Sequence, residues 1–142
     1  MGGLSIKIPR AAALLLAIAW TVLGGCNKSS IKLYPVSGKV LFKDQPAEGA
    51  QVVFHPVNGA TKEQPLAYGT ATSDGSFQLR TEYGEGAVPG DYNVMVTWYG
   101  ANPRNPDAAV NKLPAKYADQ SAPVLKAAIN EQKNDLEPFR LK

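Results

Sequence analysis

Apolar and polar residues alternate with a period of two through most of residues 36–98, and this alternation limits the fold more than any other feature. In the first such segment, Val36, Val40 and Phe42 fall on one side and Ser37 on the other. A period of two is typical of half-buried strands, whereas helices repeat every 3.6 residues. Similar patterns recur at 50–54, 68–72, 77–80 and 92–98.

Glycine, proline and aspartate separate these segments. Asp74-Gly75 predicts a tight hairpin turn, because this pair tolerates the positive φ angles that such turns require. Asp44–Pro46 and Pro89–Asp91 predict further turns. The alanines of 115–118 support at most one or two helical turns, and no convincing helical stripe occurs after residue 25. Short strands separated by such turns predict an all-β fold, an antiparallel β-sandwich.

The first 25 residues are organised like a secretory signal. Lys7 and Arg10 precede the uncharged apolar stretch 11–23, and two glycines separate that stretch from Cys26. A basic region, an apolar region and small residues before the cleavage point are typical of such signals. The apolar stretch is shorter than the roughly 20 residues that a membrane-spanning helix needs. We therefore expect residues 1–25 to be cleaved.

The run Leu23, Gly24, Gly25, Cys26 resembles the lipobox of bacterial lipoproteins, and Cys26 is the only cysteine. The resemblance implies transfer of a lipid to the Cys26 thiol, cleavage before it and acylation, such as with palmitate, of the new amino group. Two or three acyl chains hold a protein on a membrane where one does not. The expected location is the bacterial cell envelope, anchored to a membrane and facing the periplasm or the exterior. The alternative is an ordinary secreted protein.

Loss of the leader lowers the net charge. The whole chain has 15 basic and 12 acidic residues, and the leader removes two of the basic ones, which leaves +1. A charge so close to zero, without a basic stripe, argues against nucleic acid as a partner. We expect residues 26–34 to form a short tether after the lipidated cysteine and residues 35–142 to form one domain. Without a disulfide, packing has to stabilise that domain.

Residues 35–98 resemble the carboxypeptidase regulatory-like domain, which has a transthyretin-like (prealbumin-like) fold. The matching positions include Val36–Val40, Gly49-Ala50, Asp74-Gly75 and Pro89–Tyr92. Together with the C-terminal part, they resemble small lipoproteins of planctomycete-type bacteria. The resemblance implies a seven-stranded, prealbumin-like or Ig-like antiparallel sandwich over residues 35–142.

Two residues of that pattern carry structural expectations. A glycine inside a strand, such as Gly38, requires a bulge or a close neighbour to compensate for its missing side chain. Tyr92, directly after a turn, is expected to donate a hydrogen bond back to a loop, as in the tyrosine corner of other sandwiches.

Residues suited to catalysis are sparse. His55 is the only histidine, and one imidazole without cysteine partners does not form a structural zinc site. No spacing pairs it with a nucleophile such as Ser73, Ser76 or Ser121, and the carboxylates do not form a calcium-binding pattern. Some prealbumin-like proteins hydrolyse 5-hydroxyisourate with histidines and an arginine, a set that this chain lacks. We expect no enzymatic activity, no metal and no cofactor.

The segment from Tyr99 to Ala115 is rich in asparagine and proline and is expected to be a long loop. Loops of this length within compact domains are often functional or disordered. The candidate ligand-binding residues are Trp98, Tyr99, Arg104 and Lys112, which together suit a carbohydrate or a peptide. The alternative is a flexible, solvated loop without a ligand.

Three functions follow from these features. The first is a non-enzymatic, lipid-anchored structural or protein-interaction module at the membrane surface. The second is a lipoprotein that binds a wall glycan or a small ligand through residues 98–112. The third is an accessory subunit of a separate envelope hydrolase.

Overall fold

The structure is a computed structural model that describes residues 2–3 and 30–142. Ile31–Lys142 form a compact unit. Apart from residues 2–3, the predicted leader (residues 1–25) lies outside the described residues. The same is true of the predicted lipobox and its cysteine, which are Leu23, Gly24, Gly25 and Cys26. In the part of the chain that the structure describes, no helix is long and apolar enough to cross a membrane.

The compact unit is built of strands and one short 3₁₀ helix, Ala115–Ala118, which agrees with the expectation of an all-β fold with one or two helical turns. The strands are β1 Val36–Phe42, β2 Gln45–Pro46, β3 Gln51–Pro56, β4 Ala67–Thr70, β5 Ser76–Gln78, β6 Arg80–Thr81, β7 Gly84–Glu85, β8 Gly90–Thr97, β9 Tyr99–Asn102, β10 Asn105–Asn111, β11 Leu125–Ile129, β12 Asn134–Asp135 and β13 Phe139–Leu141.

Six strands form an antiparallel sheet in the order β11-β8-β3-β4-β6-β7. The pairing of β3 with β8 runs from Gln51 opposite Thr97 to Pro56 opposite Tyr92. Because β8 has a partner on each side, it is an interior strand of this sheet.

A second sheet is centred on β1, which is antiparallel to β2 and β5 and parallel to β12 and β13. The remaining strands, β9 and β10, pair with each other as a separate two-stranded sheet, the ribbon Tyr99–Asn111. The two larger sheets are consistent with a β-sandwich. The seven-stranded, prealbumin-like arrangement stays a prediction.

Aromatic rings connect the two larger sheets. Phe54 on β3 is fully buried, and its ring centroid lies 6.3 Å from Phe77, 6.2 Å from Phe139 and 5.9 Å from Tyr92. Phe77 and Phe139 stack on each other at 6.2 Å. Since Phe77 and Phe139 belong to the β1 sheet and Phe54 to the β8 sheet, these contacts form the centre of the hydrophobic core.

Both structural expectations for single residues are confirmed. Gly38 lies opposite Phe77, whose ring occupies the space that a side chain at position 38 would fill. A Cβ there would lie 2.6 Å from Cζ of Phe77. The Tyr92 hydroxyl donates a 2.7 Å hydrogen bond to the carbonyl oxygen of Val88. A close neighbour therefore compensates for the glycine, and the tyrosine fixes the turn before β8.

The hairpin predicted at Asp74-Gly75 is confirmed, with Gly75 at φ 81°, because the Thr72 N–H donates a 2.8 Å hydrogen bond to the Ser76 carbonyl oxygen and Tyr68 of β4 pairs antiparallel with Arg80 of β6. The sequence did not indicate that the returning strand joins the other sheet first. The strand before it, β4, pairs with β3 and β6, and the strand after it, β5, pairs with β1. The turn therefore carries the chain from one sheet to the other. The first predicted turn is shifted, because Lys43 and Asp44 have the positive φ angles and Gln45–Pro46 already pair with β1.

The long loop predicted between Tyr99 and Ala115 is wrong, because most of it is the ribbon. Its strands pair from Tyr99 opposite Asn111 to Asn102 opposite Asn105, with an irregular register between Asn105 and Ala109. Pro106 lies in that irregular part. Proline is tolerated in strands at edges and bulges, which is why a proline-rich segment forms strands here.

Replacement of Gly38 by valine is expected to lower the free energy of unfolding by about 1–3 kcal/mol, because the new side chain has to displace the Phe77 ring. Urea denaturation measures this change. The control is Lys39→Val on the same strand, because the Lys39 side chain extends toward Asp74 at the surface. Equal urea midpoints for the two variants would contradict this account of the core.

Candidate functional site

The structure places Trp98 at the base of the ribbon, between β8 and β9. Its indole Nε1 donates a 2.7 Å hydrogen bond to the carbonyl oxygen of Glu48, and its backbone N–H donates one of 3.0 Å to Oδ1 of Asn111. Its ring meets Phe42 edge to face at 6.1 Å. A buried or half-buried tryptophan usually finds such a partner for its N–H group. Trp98 therefore anchors the ribbon to the sandwich.

Lys112 covers one face of that indole. Its Nζ lies 4.5 Å from the centre of the Trp98 ring, within the range of a cation–π contact. The Lys112 backbone N–H also donates a 2.8 Å hydrogen bond to the Trp98 carbonyl oxygen. Gly100 leaves the space through which the lysine side chain passes, since a Cβ at that position would collide with Cε of Lys112. This ring face is therefore already occupied by a cation.

The other two candidate residues have different surroundings. Tyr99 is 57 % exposed at the base of the ribbon. Arg104 lies in the turn between β9 and β10, at the opposite end of the ribbon, where its backbone N–H donates to Oδ1 of Asn102. The structure thus brings Trp98 and Lys112 into contact, whereas Tyr99 follows Trp98 in the chain but lies on the other face of the ribbon from Gly100 and the Lys112 side chain. It does not bring Arg104 to the same place.

The sequence analysis missed Val110, which is 42 % exposed on β10. It lies opposite Gly100, one position from the pair Tyr99 and Asn111, and neighbouring pairs of a ribbon point to opposite faces. The ribbon therefore exposes an apolar side chain on each face. The exposure of Val110 could not be predicted without the register of β9 against β10. The asparagine and proline content of the segment indicated a loop and gave no sign of these strands.

His55 lines a small polar pocket of about 230 Å³ on the outer face of the β8 sheet, together with Asn93 and Gln120. The side-chain amide nitrogen of Gln120 lies 3.1 Å from Nε2 of His55, so the imidazole accepts a hydrogen bond there in its neutral form. Partial burial lowers the pKa of His55. Both the burial and the hydrogen bond therefore favour the neutral form of His55.

Among the described residues, the imidazole has its side-chain hydrogen bonds with Gln120, and no serine hydroxyl bonds to it. The hydroxyl groups of Ser76 and Ser121 instead donate to Asp74 and Asp119 in their own turns, at 2.5 Å and 2.6 Å. These hydrogen bonds hold the pKa values of both carboxyl groups below the ordinary range. Within residues 2–3 and 30–142 no three His, Cys, Asp or Glu side chains are grouped so that they could hold a metal ion.

Replacement of Gly100 by alanine is expected to move Lys112 off the Trp98 ring without unfolding the chain, because the lysine side chain is flexible. In a Trp20→Phe background Trp98 is the sole tryptophan. The fluorescence spectrum of Gly100→Ala should then match that of Lys112→Ala and differ from the parent, with a loss of stability of about 0.5–1 kcal/mol. Arg104→Ala is the control, and a Gly100→Ala spectrum identical to the parent would contradict the contact.

The stability of the domain should fall when the pH is lowered from about 8 to about 5.5. The pKa of His55 in the folded state lies below its ordinary value of 6.5, so the unfolded state takes up the proton first. The stabilisation is complete above pH 6.5 and is lost as the pH falls through the lower, folded-state pKa. Thermal melting followed by circular dichroism measures it, and His55→Gln should remove most of the decline. An unchanged decline in this variant would contradict the assignment.

Comparison with known proteins finds no matching protein family, no match among curated proteins and no matching solved structure. Membership of the carboxypeptidase regulatory-like family therefore stays a prediction from the sequence pattern. The function has to be inferred from the geometry of the described residues.

Proposed function

We propose that this chain is a non-enzymatic, lipid-anchored protein of the bacterial cell envelope that binds a protein partner through the ribbon Tyr99–Asn111. The membrane is reached through a lipid on Cys26, and the sandwich carries the ribbon. No cofactor, metal or nucleic acid takes part in this function.

The observation that carries the proposal is the exposure of apolar side chains on an anchored ribbon. Tyr99 and Val110 are 57 % and 42 % exposed, although β9 and β10 pair with each other and with no strand of the larger sheets among the described residues. Tyrosine is enriched at protein interfaces because it combines a large apolar surface with a polar hydroxyl. Because the two side chains lie on opposite faces of the ribbon, a partner that holds the ribbon from both sides removes both apolar surfaces from water.

The fixed base of the ribbon supports the same function. The ribbon begins directly after Trp98, whose indole and backbone are bonded to Glu48 and Asn111. An isolated two-stranded hairpin is only marginally stable in water, so this anchor is what keeps the ribbon in one conformation. A surface that is already ordered loses less conformational entropy when a partner binds.

The expected lipid places the domain close to the membrane. Cys26 and Tyr34 are eight positions apart in the sequence, and Tyr34 is fixed to the domain by two 2.9 Å backbone hydrogen bonds with Ala87. A fully extended chain of that length spans at most about 3.6 Å per residue, or roughly 29 Å. Partners on or near the same membrane are therefore the ones that the ribbon reaches.

A glycan site at Trp98 and Lys112 has less support. The indole N–H already donates to Glu48 and one ring face already contacts Lys112, so a sugar stacked on that face has to displace the lysine. The role of accessory subunit to an envelope hydrolase is a special case of partner binding, and the identity of the partner decides it.

Replacement of Cys26 by serine should release the protein from membranes and abolish labelling by a fatty-acid probe, because the hydroxyl does not accept the thioether-linked lipid. Membrane fractionation and probe labelling in a bacterial host measure both effects. Ser29→Ala is the control and should stay membrane-bound. Persistent labelling of Cys26→Ser would overturn the lipid site.

The double variant Tyr99→Ser, Val110→Ser should lose a protein partner that the unchanged protein captures from detergent-solubilised envelopes. The matched control is Val57→Ser, Val124→Ser, because both valines are 52 % exposed and lie outside the ribbon. Mass spectrometry of the captured proteins identifies the partner and shows whether it is a hydrolase. Failure to capture any protein with the unchanged chain, or equal capture by both variants, would argue against the ribbon as the binding surface.

A further inference from the structure

A second surface, separate from the ribbon, has the composition of a ligand site. It is an open groove of about 590 Å³, within the size range of small-ligand sites. The connection between β3 and β4, strand β4 itself and the turn between β6 and β7 form its walls. Its lining residues are Ala60, Thr61, Lys62, Pro65, Leu66, Tyr68 and Glu82.

One wall of the groove is apolar and partly open to solvent. Leu66 is 38 % and Tyr68 44 % exposed, although both are large apolar side chains. Tyr68 lies on β4 between Val53 and Arg80 of the neighbouring strands. The backbone of Tyr68 is therefore fixed in a paired strand, and its exposed side chain extends from a stable sheet. A phenol ring held in this way offers a flat surface for the C–H face of a sugar ring.

The connection that forms the other wall is held in one conformation by its own hydrogen bonds. The backbone N–H of Thr61 donates to the carbonyl oxygen of Gln64, and the backbone N–H of Gln64 donates to the Thr61 hydroxyl, both at 3.0 Å. At its start, the Val57 N–H donates a 3.1 Å bond to the carbonyl oxygen of Asp91 on β8. The groove is thus formed before a ligand arrives, which lowers the entropic cost of binding.

The polar rim has both signs of charge. Lys62 and Glu82 line the groove with opposite charges, and Thr61 adds a hydroxyl. A balanced rim of donors and acceptors suits a ligand with many hydroxyl groups and no net charge. An anionic ligand would be repelled by the Glu82 carboxylate, and a cationic ligand would be repelled by the Lys62 ammonium group.

We infer that the groove beside Tyr68 binds a neutral saccharide, with one sugar ring stacked on the tyrosine and its hydroxyl groups bonded to Thr61, Lys62 and Glu82. This function goes beyond partner binding by the ribbon and does not depend on it. The occupant follows from the combination of an aromatic wall, a rim without excess charge and an open shape that admits one end or one unit of a chain.

Calorimetric titration of the full-length protein in a non-glycosidic detergent tests the inference. The probes are chitotetraose, cellotetraose, mannotetraose and maltotetraose, with tetragalacturonate and tetralysine as charged comparisons. At least one neutral tetrasaccharide should bind, and Tyr68→Ala should weaken that binding at least tenfold. Tyr99→Ala is the matched control, because it removes an exposed tyrosine from the ribbon, and it should bind the saccharide as the unchanged protein does.

Two further variants keep the test decisive if Tyr68→Ala melts at a lower temperature. Tyr68→Phe retains the ring and should retain binding, whereas Glu82→Gln keeps the shape of the rim but weakens its hydrogen bonds and should reduce affinity several-fold. The inference fails if no neutral probe binds, if a charged probe binds more tightly, or if Tyr99→Ala weakens binding as much as Tyr68→Ala. Capture of a protein partner by the ribbon is measured in a separate experiment. Failure of the saccharide titration therefore does not affect the interpretation of that experiment, and the reverse also holds.

Discussion

The contact of Phe54 with Phe77 and Phe139 is the interaction on which the rest of this structure depends. The chain has a single cysteine, at position 26, so no disulfide within residues 31–142 can hold the two larger sheets together. Phe54 is fully buried, and its three aromatic neighbours come from both sheets. Burial of such rings contributes both area and specific ring–ring contacts. The glycine opposite Phe77 leaves the space in which that ring lies, so the core requires Gly38 as much as the phenylalanines.

From this core, β8 sets the position of both candidate surfaces. It pairs with β3 and β11, and its inward residues Tyr92, Val94 and Val96 are buried. At its start, Asp91 accepts the hydrogen bond that fixes the connection beside the groove. Past its end, Trp98 is bonded to the chain just before β3, and the ribbon continues from there. One well-packed strand therefore supports a preformed groove near one end and an anchored ribbon at the other.

The sequence predicted the interior strands better than the connections, and the physical reason is specific. In β3 the buried residues alternate strictly. In β8 the inward residues Tyr92, Val94 and Val96 are buried, and Met95 on the other face is buried as well. Burial of the inward face enforces the pattern that the sequence analysis used. The pattern does not say which strands pair, and therefore the turn at Asp74-Gly75 was identified while the change of sheet across it was not. For the ribbon, asparagine and proline indicated a loop, because a two-stranded ribbon with exposed faces has no buried side to impose alternation.

The candidate site was predictable only in part for a similar reason. Trp98 and Lys112 were singled out by residue type, but their contact depends on the register of β9 against β10 and on the space left by Gly100. The residues of the groove come from three separate stretches of chain, and no local spacing links Leu66 with Glu82. Tyr68 alternates with its neighbours as a strand residue should, yet it faces outward, since Ala67 and Ala71 are the buried positions.

The two surfaces should act independently, and the geometry of β8 gives the reason. Strand β8, Gly90–Thr97, has eight residues. Its first and last residues lie about seven steps apart, and at about 3.3 Å per step they separate the attachment of the groove from that of the ribbon by roughly 23 Å. Between them the segment Tyr92–Val94 is paired on both sides, and the inward side chains of β8 pack into the hydrophobic core. Coupling between sites requires an element with two arrangements of similar free energy. A doubly paired strand whose alternate residues are buried has no second register of comparable stability, because a shift by one residue would expose Tyr92, Val94 and Val96 to water. Occupation of one proposed surface is therefore expected to leave the other unchanged, so the protein partner and the saccharide that we propose would bind to the same domain independently.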